Sequence, residues 1–144
     1  MGKINKMECL GCRIANGVEP NLHIIWETEL VTCVLDIAPF HEGHTLILPK
    51  KHYWDAEEMD DETAHAVMDT SIRLSKVLKQ LFHPDGITMC QNGGVFNDLT
   101  HYHMHIIPRF KGDGFSWSEP LFPHGAEKHL SETRDQIAKV LATG

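Results

Sequence analysis

His101-Tyr102-His103-Met104-His105-Ile106-Ile107-Pro108-Arg109 places an imidazole at every second residue and an aromatic or apolar side chain between them. In extended backbone successive side chains point to opposite faces. The spacing therefore predicts a strand over residues 102–107, stopped by Pro108, with Tyr102, Met104 and Ile106 in a core and His101, His103 and His105 sharing the other face. Such a row is costly as mere packing, because neighbouring imidazoles repel when protonated and their buried nitrogens need partners when neutral. Two chemistries suit it: ligation of a transition metal by neutral imidazoles, or attack on phosphorus by one imidazole lone pair while its neighbours handle protons. Protonated neighbours would make the pocket locally cationic.

Working outward, residues 23–26 and 30–35 read as strands joined by the polar Glu27-Thr28-Glu29, with Trp26 assigned to the sheet core. Turn chemistry at residues 39–43 precedes a third strand over 44–48, stopped by Pro49. Between residues 57 and 82 the period changes: Ala64, Val67, Met68, Ser71, Leu74, Leu78 and Leu81 recur at three- and four-residue steps, one face of a long helix. Asp60 or Asp61 is placed to cap it, and His83-Pro84-Asp85-Gly86 to end it. A fourth strand follows over 87–91, then Asn92-Gly93-Gly94, a turn or a nest whose N–H groups could cradle phosphate. The apolar segment 9–17 is too short to stand alone and must pack on something. A short terminal helix is expected near the end, capped by Ser131, with Ile137, Val140 and Leu141 as its buried stripe. The sum is an α+β fold over residues 1–144 as a single domain: a five-stranded, mostly antiparallel sheet, one long helix and a short C-terminal helix.

Composition narrows the function classes. The 144 residues include 42% hydrophobic and 23% charged residues, ordinary for a globular domain. Thirteen Lys and Arg against twenty Asp and Glu give a net charge of −7, so a nucleic-acid partner is not expected. No apolar run approaches the roughly 20 residues that span a bilayer, so no membrane partner is expected either. Residues 1–7 lack the apolar core of a secretion signal, which makes a reducing cytoplasm the expected compartment. Of the four Cys, Cys9 and Cys12 have the spacing of half a metal site, but Cys33 and Cys90 are isolated and form no second pair.

The histidine stretch resembles the signature of the histidine triad (HIT) family, in which His and apolar residues alternate. Other elements resemble the family in order along nearly the whole chain. Cys9-Leu10-Gly11-Cys12 through Gly17 is similar to the opening of many microbial members. Leu35-Asp36-Ile37 and Gly43-His44-Thr45-Leu46-Ile47-Leu48-Pro49-Lys50-Lys51-His52 are similar to two further family elements. The resemblance implies a homodimeric nucleotide hydrolase or nucleotidyl transferase, acting at the α-phosphate of a nucleoside phosphoramidate or dinucleoside polyphosphate through a nucleotidyl-histidine intermediate. By the same matching His103 is the nucleophile, His105 contacts the phosphate or leaving group, and His44 and His101 support them. Asp36 would accept from ribose hydroxyls, and Leu10, Ile14, Val34 and Ile37 would wall the base. The resemblance also implies a structural zinc held by Cys9, Cys12, His52 and His101, and no organic cofactor.

The chain departs from the family pattern where Gln and then Ser or Thr commonly precede the triad: here stand Asn97 and Asp98. Asn97 keeps an amide with less reach, and Asp98 puts an anion where a hydroxyl would donate to phosphate. Asn92, Gln91 or Asn97 could supply an amide on that side. Two other readings stay open: a non-catalytic nucleotide-binding or metal-responsive regulatory protein, and a hydrolase with a catalytic metal among His101, His103 and His105.

Overall fold

The computed structural model describes residues 8–144; the polar opening, residues 1–7, lies outside the described residues. The chain forms two compact units, one ending at Asp113 and the other Gly114–Gly144.

The first unit carries a five-stranded sheet in the order β1-β2-β3-β5-β4, with every neighbouring pair antiparallel. The strands are β1 (Ile24–Glu27), β2 (Val31–Leu35), β3 (Thr45–Pro49), β4 (Gly86–Cys90) and β5 (Met104–Arg109). Helix α1 (Leu10–Ala15) precedes them, and α2 (Asp61–Phe82) lies between β3 and β4. The fold class read from the sequence is the one observed.

Helix α2 covers one face of the sheet. Val67, Leu74 and Leu78 pack with Val31, Cys33, Ile47, Tyr102 and Ile106 in one buried cluster. Asp60 caps the helix, its carboxylate accepting from the Thr63 N–H at 2.8 Å and from the Tyr53 hydroxyl at 3.1 Å. These donors hold its carboxyl below the usual range. His83, left-handed at φ 48°, ends it before Pro84. Two predicted stripe residues differ. Met68 is 50% exposed because it sits one residue, about 100° of helix rotation, from buried Val67, and Leu81 in the last turn is 62% exposed. Thr63 and Thr70 take up the buried positions instead.

The opposite face carries a smaller cluster of Ala15, Val34 and Leu48, with Ile14, Leu46 and Leu99 packed against it. Here α1 finds its support. Thr32 Oγ1 donates to the Ala15 carbonyl at 2.6 Å, and Asn16 Nδ2 donates to the carbonyls of Cys12 (2.8 Å) and Lys50 (3.0 Å). The turn into β3 also requires one glycine: Gly43 has φ 92°, and a Cβ there would collide with the Phe82 ring at the end of α2.

Other expectations are corrected. Trp26 is not core: it lies on the edge strand β1, 42% exposed, with the Arg73 guanidinium 4.6 Å from its ring centroid. The last strand begins at Met104 rather than residue 102, and it is not stopped by Pro108 but runs through it to Arg109. In the second unit α3 (Leu130–Thr143) buries none of its residues, so Ile137, Val140 and Leu141 form an exposed stripe, and His129 rather than Ser131 is its N-cap.

Truncation separates the two sides of α2. Leu78→Ala should lower the unfolding free energy in urea by about 2–5 kcal/mol through lost burial and a residual cavity, and Met68→Ala by under about 1 kcal/mol.

Candidate functional site

The histidines of β5 and its approach divide between two sites. Tyr102, Met104 and Ile106 do enter the core under α2, as the alternation requires. His101 turns to the Cys pair, while His103 and His105 face a cavity of about 530 Å³ on the α1 side of the sheet.

At the first site the Tyr102 N–H donates to the Tyr53 carbonyl at 2.7 Å, which brings His101 beside His52. Cys9 Sγ lies 3.4 Å from His52 Nδ1 and 3.5 Å from His101 Nδ1. Cys12 Sγ lies 3.3 and 3.5 Å from the same atoms, and the two Nδ1 atoms are 3.3 Å apart. A tetrahedral metal with ligands at about 2.0–2.3 Å sets its donors about 3.3–3.8 Å apart, so the spacing fits such an ion. The tautomer fits as well. His101 Nε2–H donates to the Pro49 carbonyl at 2.8 Å, which leaves the Nδ1 lone pair toward the sulfurs. Burial is the main reason its pKa falls to about 4, which keeps it neutral as a ligand must be. Gly11, between the cysteines, is required here, because a Cβ would collide with the His101 side chain. The sequence reading passed over Gly11 and Pro49; Gly inside a Cys-x-Gly-Cys turn was the available signal.

At the second site, hydrogen bonds assign the tautomer of each imidazole in its neutral form. The Phe40 N–H donates to His44 Nδ1 at 3.0 Å, so the His44 proton is on Nε2 and is donated to His105 Nδ1 at 2.9 Å. His105 then carries its own proton on Nε2. His103 Nδ1–H donates to the His101 carbonyl at 2.9 Å, which leaves a lone pair on Nε2. A nucleophilic nitrogen and a neutral N–H donor thus stand side by side, their rings 4.9 Å apart.

Burial lowers the pKa of His44, opposed by Asp36, whose Oδ2 lies 3.5 Å away. His105 falls to about 4, through burial first and then the charges of His103 and His44. Among the described residues lining the cavity none is Lys or Arg, while Glu19, Asp36 and Asp98 are present. The expectation of a locally cationic pocket is therefore corrected: no Lys or Arg is among the described residues lining the cavity, and burial lowers the proton affinity of His44 and His105, which serve as neutral donors.

Leu10, Ile14, Val34, Asp36, Ile37 and Asp98 all line the cavity, as does Leu46, which the sequence reading left out. Asp98 Oδ1 lies 3.4 Å from His103 Nε2. Asn97 and Asn92 are placed otherwise. The Asn97 amide is spent inside the fold, Nδ2 donating to the Trp54 carbonyl (3.1 Å) and Oδ1 accepting from the Leu99 N–H (3.0 Å). Asn92 lies outside the cavity lining, and its carbonyl accepts from Gln91 Nε2. The supposed nest after it is filled, since Gly94 N–H donates to the Asp55 carboxylate at 2.9 Å. Arg109 grips Asp113 with two hydrogen bonds, at 2.6 and 3.0 Å. Among the described residues no metal-ligating group joins His101, His103 and His105. Asp36, His44 and His105 do approach one another, but the lone pair between the two rings is already used by their hydrogen bond.

Comparison with known proteins places the chain in a family. The HIT domain family profile matches residues 18–112, and the chain belongs to the HIT family. It is 35% identical over 140 residues to the protein Hit of Bacillus subtilis, covering 94% of this chain and 95% of that one. It is 32% identical over 123 residues to an adenosine 5'-monophosphoramidase of Schizosaccharomyces pombe, covering 81% and 89% of the two chains. A crystal structure of a zinc-bound histidine triad family protein from Mycobacterium smegmatis superposes with a TM-score of 0.71 at 29% identity, over 94% of this chain and 99% of that one. Among the described residues no helix is long and apolar enough to cross a membrane.

The His105 environment has a consequence for stability. Its ordinary pKa of 6.5 falls to about 4 on folding, so between these values the unfolded chain binds a proton that the folded chain refuses. This contribution is fully present above pH 6.5 and is lost as the pH falls toward 4. Urea melts across that range should show the wild type losing stability more steeply than His105→Asn, by up to about 1.4 kcal/mol per pH unit. Equal slopes would refute the assignment.

Proposed function

We propose that the chain is a nucleotide hydrolase or nucleotidyl transferase in which His103 Nε2 attacks the α-phosphate of a nucleoside phosphoramidate or dinucleoside polyphosphate. The observation that carries this reading is the proton assignment: a fixed lone pair on His103 and a fixed N–H on His105, side by side in one cavity. The cavity is of a size that holds a nucleotide-sized ligand. The S. pombe relative, named for its action on an adenosine monophosphoramidate, supports the substrate class.

The steps follow from the donors present. His105 Nε2–H donates to a phosphate oxygen. For a phosphoramidate protonated on its nitrogen, the His103 Nε2 lone pair forms a bond to phosphorus as the P–N bond of the substrate breaks. The amine leaves with that electron pair. Water then forms a P–O bond, the P–Nε2 bond breaks, its electrons return to His103, and the water proton passes to solvent. Throughout, His103 keeps its Nδ1 proton, held by the His101 carbonyl. His44 supports His105, and His101 supports His103. Asp36 is assigned to the ribose hydroxyls, and Leu10, Ile14, Val34 and Ile37 to the walls around the base.

Zinc is assigned to Cys9, Cys12, His52 and His101, where a tetrahedral fit and a zinc-bound family member support it. When bound it supplies structure, tying α1 to the approach to β5. The reading also has the protein working as a homodimer in the cytoplasm on free nucleotides, and the net charge of −7 fits small ligands better than nucleic acid.

The test is nucleoside monophosphate release from adenosine and guanosine phosphoramidates and dinucleoside polyphosphates. Wild-type protein should release it, and His103→Ala should lose at least about a thousandfold in kcat/KM while still binding the nucleotide. Nucleotide binding with no turnover in the wild type would favour the non-catalytic binding protein instead.

Metal removal gives a separate outcome. Chelation should lower the midpoint of thermal unfolding first, and activity should fall only as the fold loosens. Activity lost at full thermal stability would move the metal to a catalytic role.

A further inference from the structure

Asp98 stands beside the nitrogen proposed as nucleophile. Its Oδ1 lies 3.4 Å from His103 Nε2, and a reacting atom must approach to about 3–3.5 Å of its nucleophile. The carboxylate therefore holds the shell that the phosphorus of a substrate must enter. Its side chain is 90% exposed and free to rotate, but its backbone is not free. On one side the buried Asn97 is fastened to Trp54. On the other, Leu99 packs against the α1 face of the sheet, and Thr100 takes a left-handed φ of 54°. An arriving phosphate can turn the carboxylate aside without removing it from the mouth of the cavity, where the leaving group must stand.

Charge on the surrounding groups leaves Asp98 in command there. Glu19 pairs with Arg13 at 2.9 Å, and Asp36 faces His44 and accepts from the Ala38 N–H at 2.9 Å. Among the described lining residues no Lys or Arg offsets Asp98. A polyphosphate or sulfate leaving group would meet a fixed negative charge, and one bearing an ammonium would meet a counterion.

Resting on the phosphoryl-transfer reading above, we infer that Asp98 is a specificity-determining residue that selects phosphoramidates of cationic amines over substrates with anionic leaving groups. The bond changes are those already given; Asp98 exchanges no proton or electron pair and acts through its charge.

The experiment uses three substrates with the same nucleoside. They are a phosphoramidate of a diamine whose free end is protonated, a phosphoramidate of a simple alkylamine, and a dinucleoside polyphosphate. In wild-type protein kcat/KM should fall in that order, and the cationic-to-anionic ratio should shrink as salt is raised. Asp98→Asn should reduce that ratio by about tenfold or more, and Asp98→Glu should retain the preference. An Asp98→Asn protein that keeps the wild-type ratio, or slows all three substrates equally, would overturn the inference. Failure of the parent reading looks different: no release from any substrate by the wild type, or release that survives His103→Ala, would remove both.

Discussion

The hydrogen bond from His103 Nδ1–H to the His101 carbonyl, 2.9 Å long, is the contact through which the rest of the structure reaches His103 Nε2, the nitrogen proposed as nucleophile. It fixes the tautomer and the ring plane of His103, and its acceptor belongs to a residue whose side chain is committed elsewhere. His101 is wholly buried, its Nε2–H held by the Pro49 carbonyl and its Nδ1 turned to Cys9, Cys12 and His52. One residue thus serves two sites, by its ring in the first and by its carbonyl in the second. A shift of the Cys cluster would move the acceptor that orients the His103 ring, the proposed nucleophile. Gly11 is part of the same constraint, since a larger residue there would press on the His101 ring.

Electrostatically the second site is built from neutral groups. Burial disfavours protonation of His44 and of His105, and for His105 the neighbouring His103 and His44 add to it, so their function rests on where their N–H bonds point. A relay that begins at the Phe40 N–H and ends at His105 Nε2–H needs no net charge, and it persists across neutral pH. Preorganised donors of this kind stabilise charge as it develops on a phosphate without having to reorient at the moment of reaction.

Much of this was legible in the sequence because periodicity and family spacing carry it. The period-two alternation around Met104 and the helical steps from Val67 to Leu78 are statements about which faces are buried, and burial is what the fold observes. The convergence of Cys9, Cys12, His52 and His101 came from resemblance; pair spacing alone left it as half a site. What stayed hidden depends on three-dimensional neighbours. Nothing local says that His101 would part from His103, since that follows from the Tyr102–Tyr53 backbone bond. Trp26 looks like a core residue by type, and only its place on the edge strand leaves it half open. A cationic pocket was a fair expectation from histidine count, but a count carries no information on how burial and mutual repulsion lower their proton affinity.

Asn97 and Asp98 are adjacent, both differ from the common family residues, and the fold uses them in opposite ways. Asn97 is buried, and both ends of its amide bond to backbone at either side of it in space. The shorter side chain that loses reach toward a phosphate gains, by the same shortness, a tight closure of its own loop. That closure leaves the next residue projecting from a rigid base into the mouth of the cavity. On that pinned backbone Asp98 keeps its charge within a side chain's length of His103, the proposed nucleophile, whatever rotamer it adopts. The two departures are therefore best read together, the first fixing the position at which the second acts.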